Sequence, residues 1–379
     1  MSVKNAMRDQ VWSLPELMLG QYEDLETKIH RMLTTPEIFS IQRILLTGCG
    51  DSYAAALATK HIFELLTGLP TDVVTAIDLA RYYHPKQIGF APKNPLVIAL
   101  SNSGGVARIS EAVQFVNAHG GFTLGITGNA SSALGSHASR ILKLDIPAFA
   151  DAPGVRSYMV SVMALLLLAI RIGEVRGMYT MNEASFYRAD IASQAKGLAS
   201  MLPGMDEHIS KLAARWQQFA AFDFVGAGFD YAAAFYGHAK ILEATGRVAM
   251  HINAEEWLHL NFFARDVDRI GTVFVANSTN PAISRVLEAL RYAVDLGRPL
   301  VAVSDRVLEV PAEYVLVPAT KTQITMPLTQ FAPLALLAAH LCELLGEEYG
   351  RGCKGPWAFA KDGSGVRGGT IHVRKTVLQ

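Results

Sequence analysis

The chain is poor in cysteine and has no long apolar run. Its three cysteines, Cys49, Cys342 and Cys353, show neither Cys-x-x-Cys spacing nor a paired framework, so the sequence indicates neither a zinc site nor a disulfide scaffold. We expect no metal and no cofactor. The longest apolar run covers 159–170, well short of the roughly 20 residues that cross a bilayer, and predicts a buried core helix.

An excess of charge of either sign is also missing. Lysine plus arginine and aspartate plus glutamate number 34 each among 379 residues, so no bulk field favours nucleic acid or an anionic membrane as a partner. The first ten residues lack the apolar core of a signal peptide, so no export is predicted. We therefore expect a cytoplasmic protein of two or three domains that acts on a small molecule.

Short β-rich runs alternate with helix-length patterns from residue 42 onward. The runs cover 43–47, 72–75, 96–100, 123–126 and 141–144. Each precedes a turn and a helical stretch, and this alternation predicts a parallel sheet with helices on both faces. Ligands of such sheets bind beyond the carboxyl ends of the strands.

The same pattern returns 176 to 178 residues later along the chain. The matching pairs are 46–50 with 224–228, 96–103 with 272–279, and 121–127 with 298–304. Coincidence is the alternative, because all parallel α/β units share a strand–turn–helix pattern. Matching order and offset at three places favour duplication, so we expect two tandem αβα sandwiches.

The predicted organisation has five segments. They are a helical lead-in over 1–41, a first sandwich over 42–180, a helical connection over 181–220, a second sandwich over 221–349 and a tail over 350–379. The tail carries glycine, lysine and arginine with little apolar periodicity. We expect it to lie over a surface or a cleft, which we interpret as the active site.

The most informative stretch is 100–105, which separates the apolar run 96–100 from a helical pattern over 106–117. Hydroxyls, backbone N–H groups and the positive end of a helix dipole meet at Ser101, Asn102 and Ser103, and such a convergence can hold a phosphate without a metal. An ordinary βα turn is the alternative, since it needs the same small residues.

Dinucleotide binding is a competing interpretation that the sequence does not favour. The turns Gly48-x-Gly50 and Gly226-x-Gly228 begin a glycine-rich fingerprint. Neither continues to Gly-x-Gly-x-x-Gly, and no acidic residue closes the second strand at the expected distance.

A second group of residues suggests proton transfer. Lys240 and Glu243 are three apart on a predicted helix over 231–244 and so share one face. A surface ion pair is the alternative explanation. Glu255, Glu256 and His259 follow shortly afterwards, and carboxylate, ammonium and imidazole together suit proton movement at an α-hydroxycarbonyl carbon.

Together, the tandem repeat, the Ser101-x-Ser103-Gly104 turn, the Gly226-x-Gly228 turn and the series Lys240, Glu243, His259 resemble the double sugar-isomerase (SIS) family. That family includes the isomerase half of glucosamine-6-phosphate synthase and the fructosamine-6-phosphate deglycases. The resemblance covers nearly the whole chain. It implies an α/β protein with two flavodoxin-like SIS domains that binds phosphosugars in aminosugar metabolism.

The resemblance also implies roles for residues that bind substrate. By position in the family's motifs, the residues that would bind the sugar phosphate are Ser52, Ser101, Asn102 and Ser103, and those that would contact the sugar are Val155 and Ser157. Arg156 stands between the two sugar-contacting positions. We hypothesise that Arg156 offers a planar fork to the carboxylate of an amino-acid adduct; an ion pair with a protein acid such as Asp151 is the alternative.

Catalytic roles are implied in the same way. Glu243 matches the carboxylate that moves a proton between C1 and C2, and Lys240 matches a helix lysine close to the reacting atoms. His259 matches a histidine that assists ring opening and reaches the site from the neighbouring subunit, which implies a homodimer. Lys375 would correspond to the lysine near the family's C-terminus that is associated with a Schiff base.

The departures from the family pattern shape the functional expectation. Val106 stands where a threonine usually ends the phosphate loop, which removes one hydroxyl donor. Because neither a catalytic N-terminal cysteine nor a glutaminase domain precedes residue 42, we expect no glutamine-dependent amino transfer. The expected reaction is amine release, either deglycation of a fructosamine-type 6-phosphate or deamination with isomerisation of an amino-sugar 6-phosphate. A non-catalytic sugar-phosphate-binding regulator is the alternative.

Overall fold

The structure, a computed structural model, describes residues 5–89 and 94–374. Within them the strands form two five-stranded sheets in which every recorded pairing is parallel. The strands of the first sheet are β1 Ile44–Thr47, β2 Thr71–Val73, β3 Leu96–Leu100, β4 Phe122–Thr127 and β5 Arg140–Lys143. Those of the second are β6 Ala221–Gly226, β7 Val248–Asn253, β8 Ile270–Val275, β9 Leu300–Ser304 and β10 Glu313–Leu316.

Helices precede, separate and follow the strands. The α-helices are α1 Ala6–Trp12, α2 Leu14–His30, α3 Thr35–Ser40, α4 Asp51–Thr67, α5 Ala76–Arg81, α6 Ala107–Ala118, α7 Ala133–His137, α8 Arg156–Val175, α9 Met181–Trp216, α10 Tyr231–Thr245, α11 Ala254–His259, α12 Ile283–Asp295, α13 Ala332–Leu344 and α14 Ser364–Arg367. Short 3₁₀ helices cover Pro85–Gln87, Gly228–Asp230, Asn261–Phe263, Val267–Arg269, Gln323–Leu328, Arg351–Cys353 and Gly355–Gly363.

The two sheets have the same topology. The first has the order β2-β1-β3-β4-β5, and the second, read from its other edge, has β7-β6-β8-β9-β10. In each sheet the first strand of the repeat lies between the second and the third, which is the flavodoxin-like order with its switch point between the first and third strands. The predicted α/β class with two parallel sheets is confirmed, and a shared strand order supports duplication.

The described chain divides into two compact units. One, called here the first unit, contains β1–β5 and comprises residues 20–147, 157–188 and 352–374; the other, the second unit, contains β6–β10 and comprises 5–19, 148–156 and 189–351. Each unit therefore collects segments that are distant in sequence. The five-segment organisation drawn from the sequence remains a prediction.

The apolar runs of the sequence form the buried core. β3 is a continuous apolar run whose five residues are all buried, as expected for a central strand of a parallel sheet. The apolar run 159–170 lies inside α8. Two helical stretches, Arg156–Val175 and Gln323–Leu344, are long and apolar enough to span a bilayer, but 83% and 100% of their apolar windows are buried inside the protein. Such burial is typical of core helices.

Most strand predictions are close to the structure, and the largest shift has a clear cause. The run 72–75 is predicted as a strand, whereas β2 ends at Val73. Thr75 is instead the N-cap of α5, where its Oγ1 accepts a hydrogen bond from the backbone N–H of Asp78 at 3.2 Å. A threonine that caps a helix cannot continue the ladder, so the strand ends two residues early.

A buried ion pair fixes α11 against the second sheet. Asp223 on β6 accepts hydrogen bonds from Trp257 Nε1 and Asn261 Nδ2, both at 2.9 Å, and from Arg298 Nη1 at 3.3 Å. Burial raises the pKa of Asp223, and these donors oppose that rise. Because Trp257 is fully buried, the short helix that ends at His259 has a fixed position on the sheet.

Candidate functional site

A cavity of about 260 Å³ lies in the first unit, where β1 and β3 end. These are the strands at the switch point of the sheet, where ligands of this topology bind. Its lining combines hydroxyls, an amide and the first residues of two helices. The lining residues are Cys49, Asp51, Ser52, Leu100, Ser101, Asn102, Ser103, Val106, Ser157, Tyr158 and Ser161.

The loop after β3 is held in shape by its own hydrogen bonds. The N–H of Gly104 donates to the carbonyl and the hydroxyl oxygen of Ser101, at 3.0 and 3.1 Å, and the N–H of Gly105 donates to Ser103 Oγ at 3.3 Å. Gly104 has φ +66°, and a Cβ atom there would lie 1.9 Å from Ser132 Oγ. Only glycine fits at this position, because a side chain would be both strained and obstructed.

The loop offers hydrogen-bond donors that the protein does not use. In the described part of the chain, the backbone N–H groups of Asn102 and Ser103 and the hydroxyl of Ser52 have no recorded acceptor. α4 and α6 both begin at this cavity, at Asp51 and Ala107. Unsatisfied N–H groups at two helix N-termini are a ready-made anion site.

The electrostatics of the cavity depend on backbone rather than on side-chain cations. Among its lining residues, all of which lie in the described ranges, there is no lysine or arginine. Burial raises the pKa of the Cys49 thiol, while Arg108 opposes that rise. Burial also raises the pKa of the Tyr158 phenol, so both groups stay neutral at neutral pH. The lining residues would therefore hold an anion through neutral donors and helix dipoles.

Five of the predicted substrate-binding residues come together in this cavity. They are Ser52, Ser101, Asn102, Ser103 and Ser157. Tyr158 and Ser161 also line it and were not predicted. Ser161 could have been found from the sequence, because it lies four residues after Ser157 and so shares its face of α8.

Two predicted sugar contacts, Val155 and Arg156, belong to the second unit and do not line the cavity. Val155 is fully buried, and both backbone N–H groups lie 3.4 Å from Gln10 Oε1, which accepts from them. Arg156 Nη1 donates to Ser13 Oγ at 2.7 Å, and the guanidinium lies 4.5 Å from the ring centroid of Phe149. The observed contacts of Arg156 are therefore structural, and its role toward a substrate remains a prediction.

Lys240 and Glu243 form an ion pair on α10 of the second unit. Lys240 Nζ donates to Glu243 Oε2 at 2.5 Å; the lysine side chain is completely buried, whereas the glutamate side chain is 43% exposed. Lys240 Nζ also lies 5.1 Å from the ring centroid of Tyr236, whose hydroxyl donates to the carbonyl of Gly154 at 3.1 Å. A buried ammonium thus fixes a solvent-accessible carboxylate, which is unlike an ordinary surface pair.

His259, at the end of α11, is largely exposed. Its Nε2 lies 3.2 Å from Glu255 Oε1, and Arg285 Nε contacts the other carboxylate oxygen of Glu255 at 2.5 Å. The hydrogen bond from Arg285 lowers the pKa of Glu255. Lys375 lies outside the described residues, so its predicted role is not addressed by the structure.

The corresponding turn of the second unit is filled by the protein's own carboxylate. Asp230 occupies the position of Ser52 in the repeat. Its Oδ2 accepts from the backbone N–H of Asn277 at 3.0 Å and from Asn280 Nδ2 at 2.7 Å, and its Oδ1 accepts from Asn277 Nδ2 at 2.6 Å. Gln330 Oε1 accepts from the same Asn277 amide at 2.7 Å. In the same alignment Ser278 corresponds to Asn102, and its backbone N–H donates to Asp305 Oδ1 at 2.6 Å instead of facing an open cavity.

Burial raises the pKa of Asp230 to about 7, against the opposing effect of the Asn277 and Asn280 donors. This network was not among the features predicted from the sequence. Its signal was an acidic residue at the position of Ser52 and asparagines at the positions of Ser101 and Gly104.

Comparison with known proteins gives a consistent result. Residues 37–171 match the family model described as the SIS domain. The chain is 25% identical over 328 residues to glutamine–fructose-6-phosphate aminotransferase [isomerizing] of Gloeobacter violaceus, a match that covers 83% of this chain and 51% of that protein. The chain therefore spans about half the length of the curated relatives it matches.

Solved structures show the same fold. The C-terminal domain of glucosamine-fructose-6-phosphate aminotransferase from Francisella tularensis matches with a TM-score of 0.80 at 17% identity, covering 92% of this chain and 98% of that one. Glucosamine-6-phosphate deaminase from Thermotoga maritima matches with a TM-score of 0.61 at 16% identity, covering 88% and 96%. At these identities the likeness establishes the fold.

Substitution of Gly104 tests whether the shape of the loop depends on glycine. We expect Gly104→Ala to destabilise the protein by about 1–3 kcal/mol from overpacking against Ser132, in addition to the roughly 1–2 kcal/mol strain of a left-handed conformation. Gly120→Ala is the matched control, because Gly120 also has positive φ but no atom closer than 3.7 Å to its Cβ position. Thermal unfolding of both variants makes the comparison; equal losses would contradict this account of the loop.

The pH dependence of stability tests the internal carboxylate. Since the pKa of Asp230 is raised in the folded state to about 7, its contribution to stability is fully present below the unfolded pKa of about 4 and is lost as pH rises through 7. We therefore expect the melting temperature of wild type relative to Asp230→Asn to fall between pH 5 and pH 8. The substitution also removes hydrogen bonds of Asp230, which changes the difference in melting temperature by the same amount at every pH. Only the change of this difference with pH therefore tests the prediction. A constant or rising difference would show that the carboxylate is buried as a stable anion.

Proposed function

We propose that this chain, which is a SIS-domain protein, binds the phosphate of a phosphorylated sugar in the cavity of its first unit and moves a proton along the sugar's carbon chain. The observation that carries the proposal is the convergence of free backbone N–H groups and serine hydroxyls at the ends of β1 and β3. Such a set suits the non-bridging oxygens of a phosphate, each of which accepts several hydrogen bonds.

The proposed substrates are an amino-sugar 6-phosphate or a fructosamine-type 6-phosphate. In a fructosamine, a proton leaves C1 and returns at C2, which converts the C2 ketone into an alcohol and the C1 amine into an imine. Water then hydrolyses the imine to an aldose 6-phosphate and the free amine. With a 2-amino-aldose the same transfer runs from C2 to C1, and hydrolysis of the C2 imine releases ammonia. Both reactions need water but no external oxidant or reductant.

Glu243 is the proposed base for this transfer. Its carboxylate is exposed, so a substrate can approach it, and one of its oxygens is held by Lys240 Nζ at 2.5 Å. A carboxylate fixed in one orientation can remove a proton from one carbon and return it to the next on the same face of the sugar. The buried position of Lys240 keeps its ammonium from moving toward solvent.

His259 and Lys375 complete the proposed catalytic set. His259 assists ring opening, and Lys375 condenses with the carbonyl carbon of the open-chain sugar to a Schiff base with loss of water, which hydrolysis later reverses. Two features support His259: its imidazole is exposed, and its orientation is set by Glu255. We further propose a cytoplasmic homodimer in which His259 serves the neighbouring subunit's site. Ser157, Val155 and Arg156 are the proposed contacts to the sugar and to its adduct.

A regulator that binds the same ligand without turnover is the second candidate. The observation that favours it is Val106, which is the N-cap of α6 and makes no side-chain capping hydrogen bond. A hydroxyl at this position would have supplied one more donor to the loop. The Lys240–Glu243 pair favours the enzyme, because phosphate recognition alone does not require a positioned carboxylate.

Hydrogen exchange separates these two functions. We expect wild type in deuterated water to exchange the C1 or C2 hydrogen of fructose 6-phosphate or glucosamine 6-phosphate, as followed by NMR. Glu243→Gln should slow the exchange about 10²- to 10⁴-fold, the range for loss of a general base, while ligand binding is retained. If the protein is a regulator, both wild type and Glu243→Gln should bind the sugar phosphate without exchanging its hydrogens.

The matched control is Glu207→Gln. Glu207 accepts a hydrogen bond from Lys211 at 2.6 Å in an exposed Lys–Glu pair on α9, so its loss should leave exchange unchanged. If neither hexose phosphate binds wild type, as measured by calorimetry, the proposed phosphate site is wrong.

A further inference from the structure

The C-terminal segment of the first unit lies against the phosphate-binding loop. Arg367 is the last residue of α14, and its side chain packs on Gly105. A Cβ atom at Gly105 would lie 3.8 Å from Cδ and 4.0 Å from Nε of Arg367. The aliphatic stem of the arginine thus rests on the loop that carries Ser103, and the guanidinium begins at the loop's edge.

Contacts on its C-terminal side hold this segment in place. Arg108, in the first turn of α6, donates through Nη2 to the carbonyl of Thr370. A Cβ atom at Gly369 would lie 3.2 Å from the same Nη2 atom, so the backbone approaches α6 closely. Further along, Arg374 donates to the carbonyl of Tyr83 and stacks over Phe115 with its guanidinium carbon 5.0 Å from the ring centroid.

The loop lacks a positive charge, which Arg367 can supply. A sugar phosphate carries a charge between −1 and −2 at neutral pH, yet the described residues that line the cavity include no cationic side chain. Val106 supplies no hydroxyl to the start of α6. The nearby Arg108 is engaged by Glu111 and Thr370. Arg367, in contrast, is exposed, and no hydrogen bond or ion pair is recorded for its guanidinium among the described residues.

We propose that Arg367 is a phosphate-recognition residue, which places its guanidinium on the phosphate group of the sugar bound at Ser101–Gly104 and so replaces the hydroxyl donor that Val106 lacks. This inference rests on the proposed function and deepens it, since it assigns the charged part of the site to the C-terminal segment. A guanidinium binds two phosphate oxygens through parallel N–H donors, and the charge makes these bonds about twice as strong as neutral ones.

With Arg367 on the phosphate, the C-terminal segment takes part in ligand discrimination. Neutral donors at the loop bind any anion of suitable size, whereas a guanidinium adds a positive charge and two parallel N–H donors that require two exposed oxygens on the ligand. The unphosphorylated sugar cannot engage Arg367. Selectivity for the phosphorylated over the unphosphorylated ligand is therefore the property that this residue controls.

Isothermal titration calorimetry with fructose 6-phosphate, glucosamine 6-phosphate and the corresponding free sugars tests the assignment. We expect Arg367→Gln to bind both phosphosugars about 10- to 100-fold more weakly, the effect of one hydrogen bond to a charged group, with weaker dependence on salt concentration. Arg367→Lys keeps the charge but not the fork, so it should recover part of the affinity. Binding of the free sugars should be unchanged in both variants.

Arg269→Gln is the matched control for the loss of one positive charge. Arg269 is exposed and precedes β8, at the opposite end of the strand from the carboxyl edge where ligands bind. Equal affinity of wild type and Arg367→Gln for phosphosugars would overturn the inference and leave the proposed function intact. Failure of wild type to bind either phosphosugar would overturn both. Equal weakening toward free and phosphorylated sugars would assign Arg367 a structural role instead.

Discussion

The organisation of the first unit depends on one electrostatic constraint. Where a parallel strand is followed by a helix, the first backbone N–H groups of the helix have no partner within it and require another acceptor. β1 and β3 are neighbours in the sheet, so the helices that follow them, α4 and α6, begin side by side. Their dipoles and N–H groups point into one small cavity. Small residues are required there because backbone approaches backbone, as Gly48 shows: its Cβ position lies 2.5 Å from the carbonyl carbon of Ser52.

In the second unit an acidic side chain of the protein itself accepts hydrogen bonds at the corresponding turn. Its turn has the same topology, but the Asp230 side chain accepts hydrogen bonds from Asn277 and Asn280 within the turn itself. A buried carboxylate costs desolvation, which is seen in its raised pKa, and the donors offset part of that cost. The first unit thus leaves the backbone N–H groups of Asn102 and Ser103 without a recorded acceptor among the described residues, whereas the second places an acidic side chain of its own beside the donors of Asn277 and Asn280.

The sequence was sufficient wherever a local pattern decides the structure. The apolar run 96–100 is predicted and observed as β3 with the same bounds, because a short apolar run bounded by turn residues suits a buried central strand and is too short for a typical helix. Thr75 shows where a local pattern is not sufficient. Threonine is favoured both in strands and at helix N-caps, so only the tertiary structure decides which of the two it forms. The serines of the cavity follow from the loop motif, whereas Arg367 is more than 200 residues away in sequence, and no periodicity connects it to Gly105.

Burial differs between the two groups of residues that the sequence singles out, the serine-rich cavity of the first unit and the Lys240–Glu243 pair of the second. The cavity of the first unit presents backbone N–H groups and serine hydroxyls, and no lysine or arginine is among its lining residues. Glu243, in contrast, carries its own counterion, because Lys240 is buried beneath it at 2.5 Å. A buried ammonium without a partner would lose its proton or destabilise the fold, so the pair is interdependent: the carboxylate permits the lysine to be buried, and the lysine holds the carboxylate at the surface. A solvated ion pair at the same helical spacing lacks that mutual requirement, and spacing alone does not reveal it.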